Sequence, residues 1–514
     1  MIERRERWWL VAIMVLASIP RLVGITDDRL GYGRDEVIYA YDGWSIAETG
    51  TDHRQTGRPP LYLKGTSDQW DNRTSVLYPY LIAGISKIVG WPDVLAVRLP
   101  AVIGSLLVVL FVWAVTRQLF PNPTIARWAG AFAALNPLGA LYARNAHDVI
   151  FLPLFSLAVA WAILSSRTSP RRWILAGLFL ALGMYTYQPF KLVGLGVALL
   201  TTLYIWPSPR QVWRWMIGGA LTCLIVAAPF LYTQLTKWST VQSQFSGISV
   251  IGKEHAIPAV IKNLKIIFSG SYIYSVRLHL IFVPFLAGLA VILGGRRYRR
   301  QILYIGGWFL LGLLPVLLTK PTGSYLHIHH ARALGTLGTL DVLGALGLVL
   351  FWEPIKNAAP PIRNRVLVVC GLIGLASVII TWSWFVVDQP WLSDRPFNGM
   401  KEGLTFVSQP AFVDRPVVVQ QYGTQLSRFI LWQTKFSPRQ FQTETIGWGE
   451  SQNGFQIPIM FGRFRMCTKC EFVRPGELMI IQAAKAPPGE ILHRFRAYFA
   501  QEEWVVMRAT EGGE

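Results

Sequence analysis

Hydrophobic residues fill long runs along the first three quarters of the chain, and polar residues are confined to the intervals between the runs. A membrane-spanning helix needs about 20 mostly apolar residues. Runs of that kind predict about eleven spans, at residues 8–25, 98–117, 127–143, 148–166, 173–188, 190–206, 213–233, 277–294, 302–319, 333–352 and 365–387. After residue 387, β-type runs such as PVVVQQY alternate with helix-like stretches such as TQLSRFILWQTKF. The pattern therefore predicts a polytopic α-helical membrane domain over 1–387 and a small α/β domain over 388–514.

Composition supports a membrane protein and narrows its partners. Of the 514 residues, 52% are hydrophobic and only 15% are charged, whereas a soluble domain carries about 25% charged residues. The net charge of +20 suits anionic lipid headgroups or phosphorylated ligands. Nucleic acid is a poor partner, because the basic residues are scattered between apolar runs. Four cysteines exclude a disulfide scaffold.

Basic residues in the loops predict the orientation of the chain. With the N-terminus in the cytoplasm, the inner loops hold most of these residues, including the RRYRR run at 296–300, and the short outer loops hold only Arg144, Lys191, Lys320 and Arg332. The segment 77–90 is short for a span and carries Lys87, so it is predicted to lie in the interface. The predicted protein is a multi-pass cell (plasma) membrane protein. Its first outer loop covers about 26–97, and its C-terminal domain is extracytoplasmic.

The first outer loop contributes a pair of adjacent carboxylates, Asp35 and Glu36, before a helix-like run. Adjacent positions on a helix do not face the same way. One of the two can therefore act as a base while its neighbour holds the loop or a hydroxyl. A solvated acidic pair is the alternative interpretation.

Three further motifs fall at outer ends of predicted spans. YARNAHDV places Arg144, His147 and Asp148 between apolar runs, where ionisable groups need partners or a cavity. The alternative there is an Arg144–Asp148 pair that marks a helix end. YTYQPFK holds Tyr185, Tyr187 and Lys191, which fit either an interfacial aromatic belt or a contact with a phosphate.

The last of these motifs, SYLHIHHARALG, contains His330 and Arg332. The run lacks a carboxylate or cysteine that would complete a zinc site, and an arginine beside histidine suits a phosphate instead. Asp341 lies deeper and is expected to face other helices. Cys467 and Cys470 in CTKC predict a local disulfide or two thiols rather than redox catalysis. Acidic groups and phosphate-binding groups thus share one membrane surface, which suggests group transfer from a phosphate-linked lipid.

The order and membrane side of these motifs resemble the GT-C superfamily of integral-membrane glycosyltransferases over roughly residues 1–385. The similar branch contains protein O-mannosyltransferases and the aminoarabinose transferase of lipid A. The residues that carry the resemblance are the Asp35–Glu36 pair, RPPLY at 58–62, VRLPAVIGSLL from 97, LNPLGALYARNAHDV from 135, GMYTYQPFKL from 183 and HHARALGTLG from 329.

This resemblance implies a polyprenyl-phosphate sugar as donor and transfer on the outer face of the membrane. It implies Asp35 as the base, with Glu36 beside it, and Asp148 as the second acidic position. Lys191, His330, Arg332 and Arg144 are then the candidates for binding the donor phosphate, and Tyr185 and Tyr187 for contacting the sugar or the lipid. Some superfamily members bind Mg or Mn. The sequence leaves a metal, the sugar and the acceptor (a lipid, a glycan or a protein) open.

The expected function is an inverting glycosyltransferase of cell-envelope glycan or glycolipid synthesis. A lipid flippase or transporter is the alternative. Such proteins bind substrates near the midplane, between broken helices, whereas here only Asp341 lies deep. A binding module on a membrane anchor is a third alternative, for which eleven spans would be excessive.

Overall fold

A computed structural model of the chain describes residues 4–26, 32–61, 63–64, 73–74, 76–206, 210–236, 249–250, 256–268, 279–320, 331–387, 397, 399–421, 425–450, 456–468, 470, 474–497 and 502–509. The chain forms two compact units. The helical unit comprises Met1–Val23 and Ala101–Gln389, and the loop–sheet unit comprises Gly24–Pro100 and Pro390–Glu514. The first outer loop therefore groups with the C-terminal segment. The division at residue 387 into a membrane domain and an outer domain stays a prediction.

Every predicted span overlaps helix, although the α-helix of the span predicted at 333–352 begins only at Thr339, after the 3-10 turn Leu334–Thr336. The helices up to residue 387 are α1 (Arg4–Leu22), α2 (Arg34–Thr49), α3 (Leu77–Val89), α4 (Val94–Leu119), α5 (Pro123–Leu135), α6 (Pro137–Ala143), α7 (Phe151–Ser165), α8 (Arg172–Met184), α9 (Phe190–Ile205), α10 (Arg210–Thr236), α11 (Ala256–Phe268), α12 (His279–Gly294), α13 (Arg299–Leu317), α14 (Thr339–Ile355) and α15 (Pro360–Val387). Within the described residues, four helical stretches are long and apolar enough to cross a membrane: Val94–Leu119, Asp148–Ser165, Val212–Thr236 and Arg299–Leu317. The polytopic helical fold is confirmed, and the number of crossings and their direction stay predictions.

One predicted span, 127–143, is wrong as a single helix. It is divided into α5 and α6 at Asn136, whose backbone is extended (ψ 117°). Pro137 disfavours a helical conformation at the residue before it and has no N–H of its own. The Asn136 side chain then accepts hydrogen bonds from the backbone N–H groups of Leu138 and Gly139 and so caps α6.

Close backbone contacts hold helices together in the helical unit. A Cβ on Gly177 of α8 would lie 1.9 Å from the carbonyl oxygen of Gly219 of α10. A Cβ on Gly347 of α14 would lie 1.8 Å from the carbonyl oxygen of Leu286 of α12. Small residues at such crossings let two backbones approach closely, which is the usual packing of helices in membranes.

The loop–sheet unit begins with α2 and α3, which pack against each other through the stacked rings of Tyr39 and Tyr78, 5.0 Å apart. Residues 77–90 are thus helical as predicted, and their place in the membrane interface stays a prediction. Next to α2 lie two C-terminal helices, α17 (Leu426–Gln433) and α18 (Pro438–Glu444), which follow α16 (Met400–Val407). The Tyr41 hydroxyl donates to the backbone oxygen of Phe436, 3.1 Å away.

A mixed seven-stranded sheet completes the loop–sheet unit. Its strands are β3 (Val417–Gln420), β4 (Ile446–Glu450), β5 (Gln456–Phe461), β6 (Phe464–Cys467), β7 (Leu478–Gln482), β8 (Gly489–Ala497) and β9 (Glu502–Ala509), in the order β4-β5-β6-β3-β7-β9-β8. A separate hairpin pairs β1 (Leu63–Lys64) with β2 (Arg73–Thr74). Strand β3 runs parallel to both β6 and β7. The predicted α/β character of the C-terminal segment is confirmed, and Cys467 and Cys470 form a disulfide.

Candidate functional site

The adjacent carboxylates predicted from the sequence lie in the first turn of α2, where a helix N-terminus favours negative charge. Glu36 is buried. Its Oε1 lies 2.5 Å from Nε of Arg98 and its Oε2 accepts from Nη2 of Arg98 at 3.2 Å. Glu36 Oε2 also accepts the backbone N–H of Gly33 at 3.0 Å. Asp35 is half-buried. Glu36 therefore takes the role of holding the loop, one of the two roles that the sequence left open for this pair.

Arg98 fixes this arrangement from the first turns of α4. Its guanidinium is 1% exposed and also donates to the backbone oxygen of Ile25. Arg98, at the end of the first outer loop, thereby connects the beginning of that loop at Ile25 with the start of α2 at Glu36. The sequence analysis did not single out Arg98, although it stands in the VRLP motif that carried the resemblance.

The helical unit brings together four predicted or neighbouring residues, which we call the open cluster: His147, Asp148, Tyr187 and Arg332. His147 Nδ1 lies 3.0 Å from Oδ1 of Asp148. The His147 ring meets the edge of the Tyr187 ring, with centroids 6.2 Å apart. The Arg332 guanidinium is hydrogen-bonded with the Tyr187 hydroxyl and donates to Oγ1 of Thr319 at 2.9 Å.

The open cluster forms where three chain turns meet. Asp148 starts a short 3-10 turn before α7, Tyr187 follows α8, and Arg332 precedes the 3-10 turn Leu334–Thr336. The alternative of an Arg144–Asp148 pair on one helix is wrong, because α6 ends at Ala143 and Asp148 pairs with His147 instead. Arg144 is buried and donates to the backbone oxygen of Pro20 at 3.4 Å. His330 lies outside the described residues.

Two other predicted residues face α10 instead of Arg332. The Lys191 ammonium contacts Oε1 of Gln188 and lies 4.6 Å from the centre of the Phe230 ring. The Tyr185 hydroxyl donates to the backbone oxygen of Val226 at 2.9 Å and accepts the backbone N–H of Phe230 at 3.3 Å. These contacts flank Pro229, which interrupts the backbone hydrogen bonds of α10. Tyr185 thus bonds to the backbone of α10 on both sides of Pro229, and these contacts give no support to its predicted contact with the sugar or the lipid.

A second group of charged residues, in the loop–sheet unit, was missed by the sequence analysis. We call it the buried cluster: Asp42, His53 and Arg428. His53 Nδ1 lies 2.6 Å from Oδ1 of Asp42, and His53 Nε2 lies 2.9 Å from Nη2 of Arg428. Because arginine can only donate, Nε2 accepts and Nδ1–H donates to Asp42. No spacing signal indicates such a group, since His53 and Arg428 are 375 residues apart.

Burial sets the charges of this cluster. Burial and the neighbouring Arg428 guanidinium lower the pKa of His53, against the opposing effect of Asp42. Burial alone would raise the pKa of Asp42, but its interactions with His53 and Arg428 hold that pKa below the ordinary value. The pKa of nearby Asp52 is raised by burial and by Asp42. The cluster therefore contains a neutral histidine between a carboxylate and a guanidinium.

Among the described residues, Asp42, Asp52 and His53 also form a group in which three atoms that could bind a metal, one from each residue, lie within 4.8 Å of one another. The group does not fit Mg or Mn. Both oxygens of Asp52 accept hydrogen bonds from Thr56, and both ring nitrogens of His53 are used. The Arg428 guanidinium beside His53 would repel a cation, whereas Mg and Mn need several free oxygen ligands.

Two buried ionisable residues of the helical unit, Arg21 and Asp341, are hydrogen-bonded to neighbouring helices. Arg21 donates to Oγ of Ser105 at 2.8 Å and to the backbone oxygen of Ala134 at 2.8 Å. Asn136 donates to Oδ2 of Asp341 at 3.3 Å. The prediction that Asp341 faces other helices is confirmed, since it is 2% exposed.

Comparisons with known proteins agree with this picture. Residues 73–233 match a family model described as dolichyl-phosphate-mannose-protein mannosyltransferase. No curated protein sequence matches the chain. Among solved structures, ArnT from Cupriavidus metallidurans bound to undecaprenyl phosphate is similar, with a TM-score of 0.62 and 12% identity over 98% of both chains.

ArnT of the same organism in the apo state gives a TM-score of 0.58 at 11% identity, again over 98% of both chains. The oligosaccharyltransferase of Archaeoglobus fulgidus in its apo form gives 0.50 at 11% identity, over 85% of this chain and 64% of the other. At such identities these structures show the fold. The chain therefore has an ArnT-like fold, and its predicted resemblance to the mannosyltransferase and aminoarabinose-transferase branch of the GT-C glycosyltransferases is confirmed.

Proposed function

We propose that the protein is an inverting glycosyltransferase. It moves a sugar from a polyprenyl-phosphate carrier to an acceptor hydroxyl on the outer face of the cell membrane, in cell-envelope glycan or glycolipid synthesis. The observation that carries the assignment is the Glu36–Arg98 ion pair, which fixes the first turn of α2 and thereby the position of Asp35. A rigid element that presents a carboxylate is what a positioned base requires.

In this proposal Asp35 removes the proton of the acceptor hydroxyl as the hydroxyl oxygen attacks the anomeric carbon. The bond from that carbon to the phosphate oxygen breaks on the opposite face, which inverts the configuration. The electron pair leaves with the carrier phosphate. Phosphate is a good leaving group, so no second carboxylic acid is needed to protonate it, in contrast with glycoside hydrolysis.

We assign the donor phosphate to the open cluster of the helical unit. Arg332 is oriented by Tyr187 and Thr319, and a guanidinium offers two parallel donors to phosphate oxygens. His147 lies beside Tyr187, and Asp148 restrains His147. Binding of the donor phosphate stays a prediction for Arg144, Lys191 and His330. Of the two predicted tyrosines, Tyr187 has a position that supports a contact with the donor, since it is hydrogen-bonded with Arg332.

The flippase or transporter alternative finds less support. A midplane substrate site needs polar groups that can release their partners to a substrate. Arg21, Ser105, Asn136 and Asp341 are buried and bonded within the helical unit, so they fit the role of a structural network.

The test uses the purified full chain with a panel of labelled polyprenyl-phosphate sugars and a membrane extract from its own source. We expect Asp35→Asn to reduce turnover by roughly 10²- to 10⁴-fold, the usual contribution of a general base, without a change in the melting temperature. Glu48→Gln is the matched control, since Glu48 lies at the exposed opposite end of α2. Full activity of Asp35→Asn would refute the assignment of the base. Donor movement across vesicles without transfer would favour the flippase.

A further inference from the structure

The helical unit contains a large apolar cavity of about 790 Å³ that the proposed reaction does not use. It lies among helices α5, α12, α14 and α15, and its wall includes Trp128, Phe132, Phe351 and Trp352. Ligand pockets commonly have volumes of roughly 300–1,000 Å³. Trp128 is 44% exposed and Leu375 56% exposed, so the cavity opens at the surface of the helices.

Two glycines of α15 belong to the wall of the cavity. Leu367, Cys370, Gly371, Gly374 and Leu375 line the cavity from one face of α15, at the spacing of a helical stripe. A Cβ on Gly371 or Gly374 would meet no protein atom within 4 Å. A glycine inside a helix costs roughly 0.5–1 kcal/mol relative to alanine. Because no neighbouring helix uses the room at these two positions, the room is available to a ligand.

The cavity is polar at one end. Asn122, Thr124, Glu353 and Lys356 lie there. The Glu353 carboxylate is 3.5 Å from Nη1 of Arg297, which offsets its charge. The Lys356 ammonium is exposed and has no acidic partner within the described part of the chain.

Further basic residues belong to the chain segments next to this polar end. Arg297 belongs to the RRYRR run at 296–300, and Arg363 and Arg365 lie on the turns of α15 that precede Leu367. An apolar body with a basic mouth complements an acyl chain attached to an anionic headgroup. In the predicted topology this end faces the cytoplasm, whereas the proposed transfer takes place on the outer face.

We propose that this cavity is a binding site for an anionic phospholipid, with an acyl chain between α5, α14 and α15 and the headgroup phosphate at Lys356. The site is separate from the donor lipid and independent of the transfer reaction. Lipid in the cavity supplies the packing contacts that its lining would otherwise lack, so it stabilises the contact of α15 with its neighbours.

Two free cysteines allow lipid binding in the cavity to be measured without introducing a new label. Cys370 lines the cavity, Cys223 lies on α10, and both are partly buried. Cys467 and Cys470 form a disulfide and do not react. The full chain is purified in neutral detergent and delipidated. Alkylation of Cys370 and Cys223 by N-ethylmaleimide is then followed by mass spectrometry, with and without added phosphatidylglycerol.

We expect phosphatidylglycerol to slow alkylation of Cys370 at least fivefold and to leave Cys223 unchanged. Phosphatidylcholine and a polyprenyl phosphate should protect Cys370 less. Lys356→Gln should reduce protection by phosphatidylglycerol to the level of phosphatidylcholine. Gly374→Leu fills the cavity and should leave no lipid-dependent change. Gly306→Leu on α13 is the matched control, because a Cβ at Gly306 also meets open space but away from the cavity.

Four results would overturn the proposal. Equal alkylation of Cys370 with and without phosphatidylglycerol would show that the cavity takes no such lipid. Equal protection by phosphatidylcholine would assign it to a neutral phospholipid, and stronger protection by the polyprenyl phosphate would assign it to the carrier. Parallel slowing of Cys223 would indicate a general detergent effect. A melting curve of each variant verifies that the fold is retained.

Discussion

Each unit contains a group with an aspartate, a histidine and an arginine, and the two groups differ in contacts and in burial. In the buried cluster Arg428 contacts His53 directly, whereas in the open cluster Arg332 is linked to His147 through Tyr187. In the buried cluster, Asp42 and His53 have 0% and 4% of their side chains exposed, and Arg428 is 3% exposed. In the open cluster, His147 is 26% exposed and Arg332 is half-buried. Charges that are fully enclosed must find their partners within the protein. The same residue types therefore have different roles in the two clusters.

The difference shows why a group of ionisable residues does not by itself mark an active site. The buried cluster joins α2, the loop after it and α17, all within the loop–sheet unit. Removing one member leaves another charge without a partner in a dry environment. The open cluster retains exposed surface at its histidine, so a ligand can replace water there. We expect the stability of the fold to depend on the buried cluster and substrate binding to depend on the open cluster.

The largest expected effect is on stability. Arg428→Ala leaves the carboxylates of Asp42 and Asp52 buried without their cation, and we expect a loss of about 3–5 kcal/mol. Thermal unfolding in detergent measures it. Arg494→Ala is the matched control, because the Arg494–Glu503 pair is about half exposed on both sides, at 54% and 51%, and such pairs contribute about 0–1 kcal/mol. Equal shifts in the two variants would refute the distinction between buried and exposed pairs.

The next effect concerns the donor. Arg332→Gln removes a charge-assisted hydrogen bond of roughly 1.5–3 kcal/mol, so we expect binding of the polyprenyl-phosphate donor to weaken about 10- to 100-fold with an unchanged melting temperature. Arg167→Gln is the control, since Arg167 lies over the Tyr204 ring, away from the open cluster. Donor binding is measured by displacement of a labelled carrier lipid. Wild-type affinity in Arg332→Gln would contradict the assignment of the phosphate.

The sequence predicted the open cluster better than the buried one for a physical reason. His147 and Asp148 are neighbours, and Tyr187 and Arg332 stand at ends of apolar runs, where ionisable and aromatic residues are noticeable. Hydrophobic run length predicted the helices equally well. The break at Asn136 was missed because the apolar run continues across it, although Pro137 gave a local signal.

Contacts between distant parts of the chain could not be predicted. Arg98 and Glu36 are 62 residues apart, and His53 and Arg428 are 375 apart. Nothing in local spacing indicates which of many charged residues meet after folding. The same limit applied to Lys191 and Tyr185, whose partners lie on α10 about 40 residues later.

A smaller effect is the pH dependence of folding stability, which we expect from the buried cluster through His53. The pKa of His53 is lowered in the folded state, while an unfolded histidine titrates near 6.5. Below that pH the unfolded chain binds a proton that the folded chain does not bind, so stability falls as the pH falls. The pKa of Asp42 is lowered in the folded state, away from the window from pH 7 to 5.5, whereas burial and Asp42 raise the pKa of Asp52.

The measurement is the unfolding free energy of wild type and His53→Gln across that window. We expect His53→Gln to be less stable at pH 7 and to show a flatter pH dependence. His493→Gln is the control for the loss of a histidine from the surface, because His493 is paired with Glu402 there. An unchanged slope in His53→Gln would show that another group causes the acid sensitivity.

The smallest effect distinguishes two tyrosines that the sequence treated alike. Tyr187→Phe keeps the ring contact with His147 but removes the hydroxyl that orients Arg332, so we expect donor binding to weaken about fivefold, equivalent to about 1 kcal/mol. Tyr185→Phe removes a hydroxyl that bonds the backbone of α10 on both sides of Pro229. It should lower stability by a similar amount and leave donor binding unchanged. If the two variants lose donor affinity equally, the phosphate contacts both tyrosines, and the open cluster must extend to the part of α10 around Pro229.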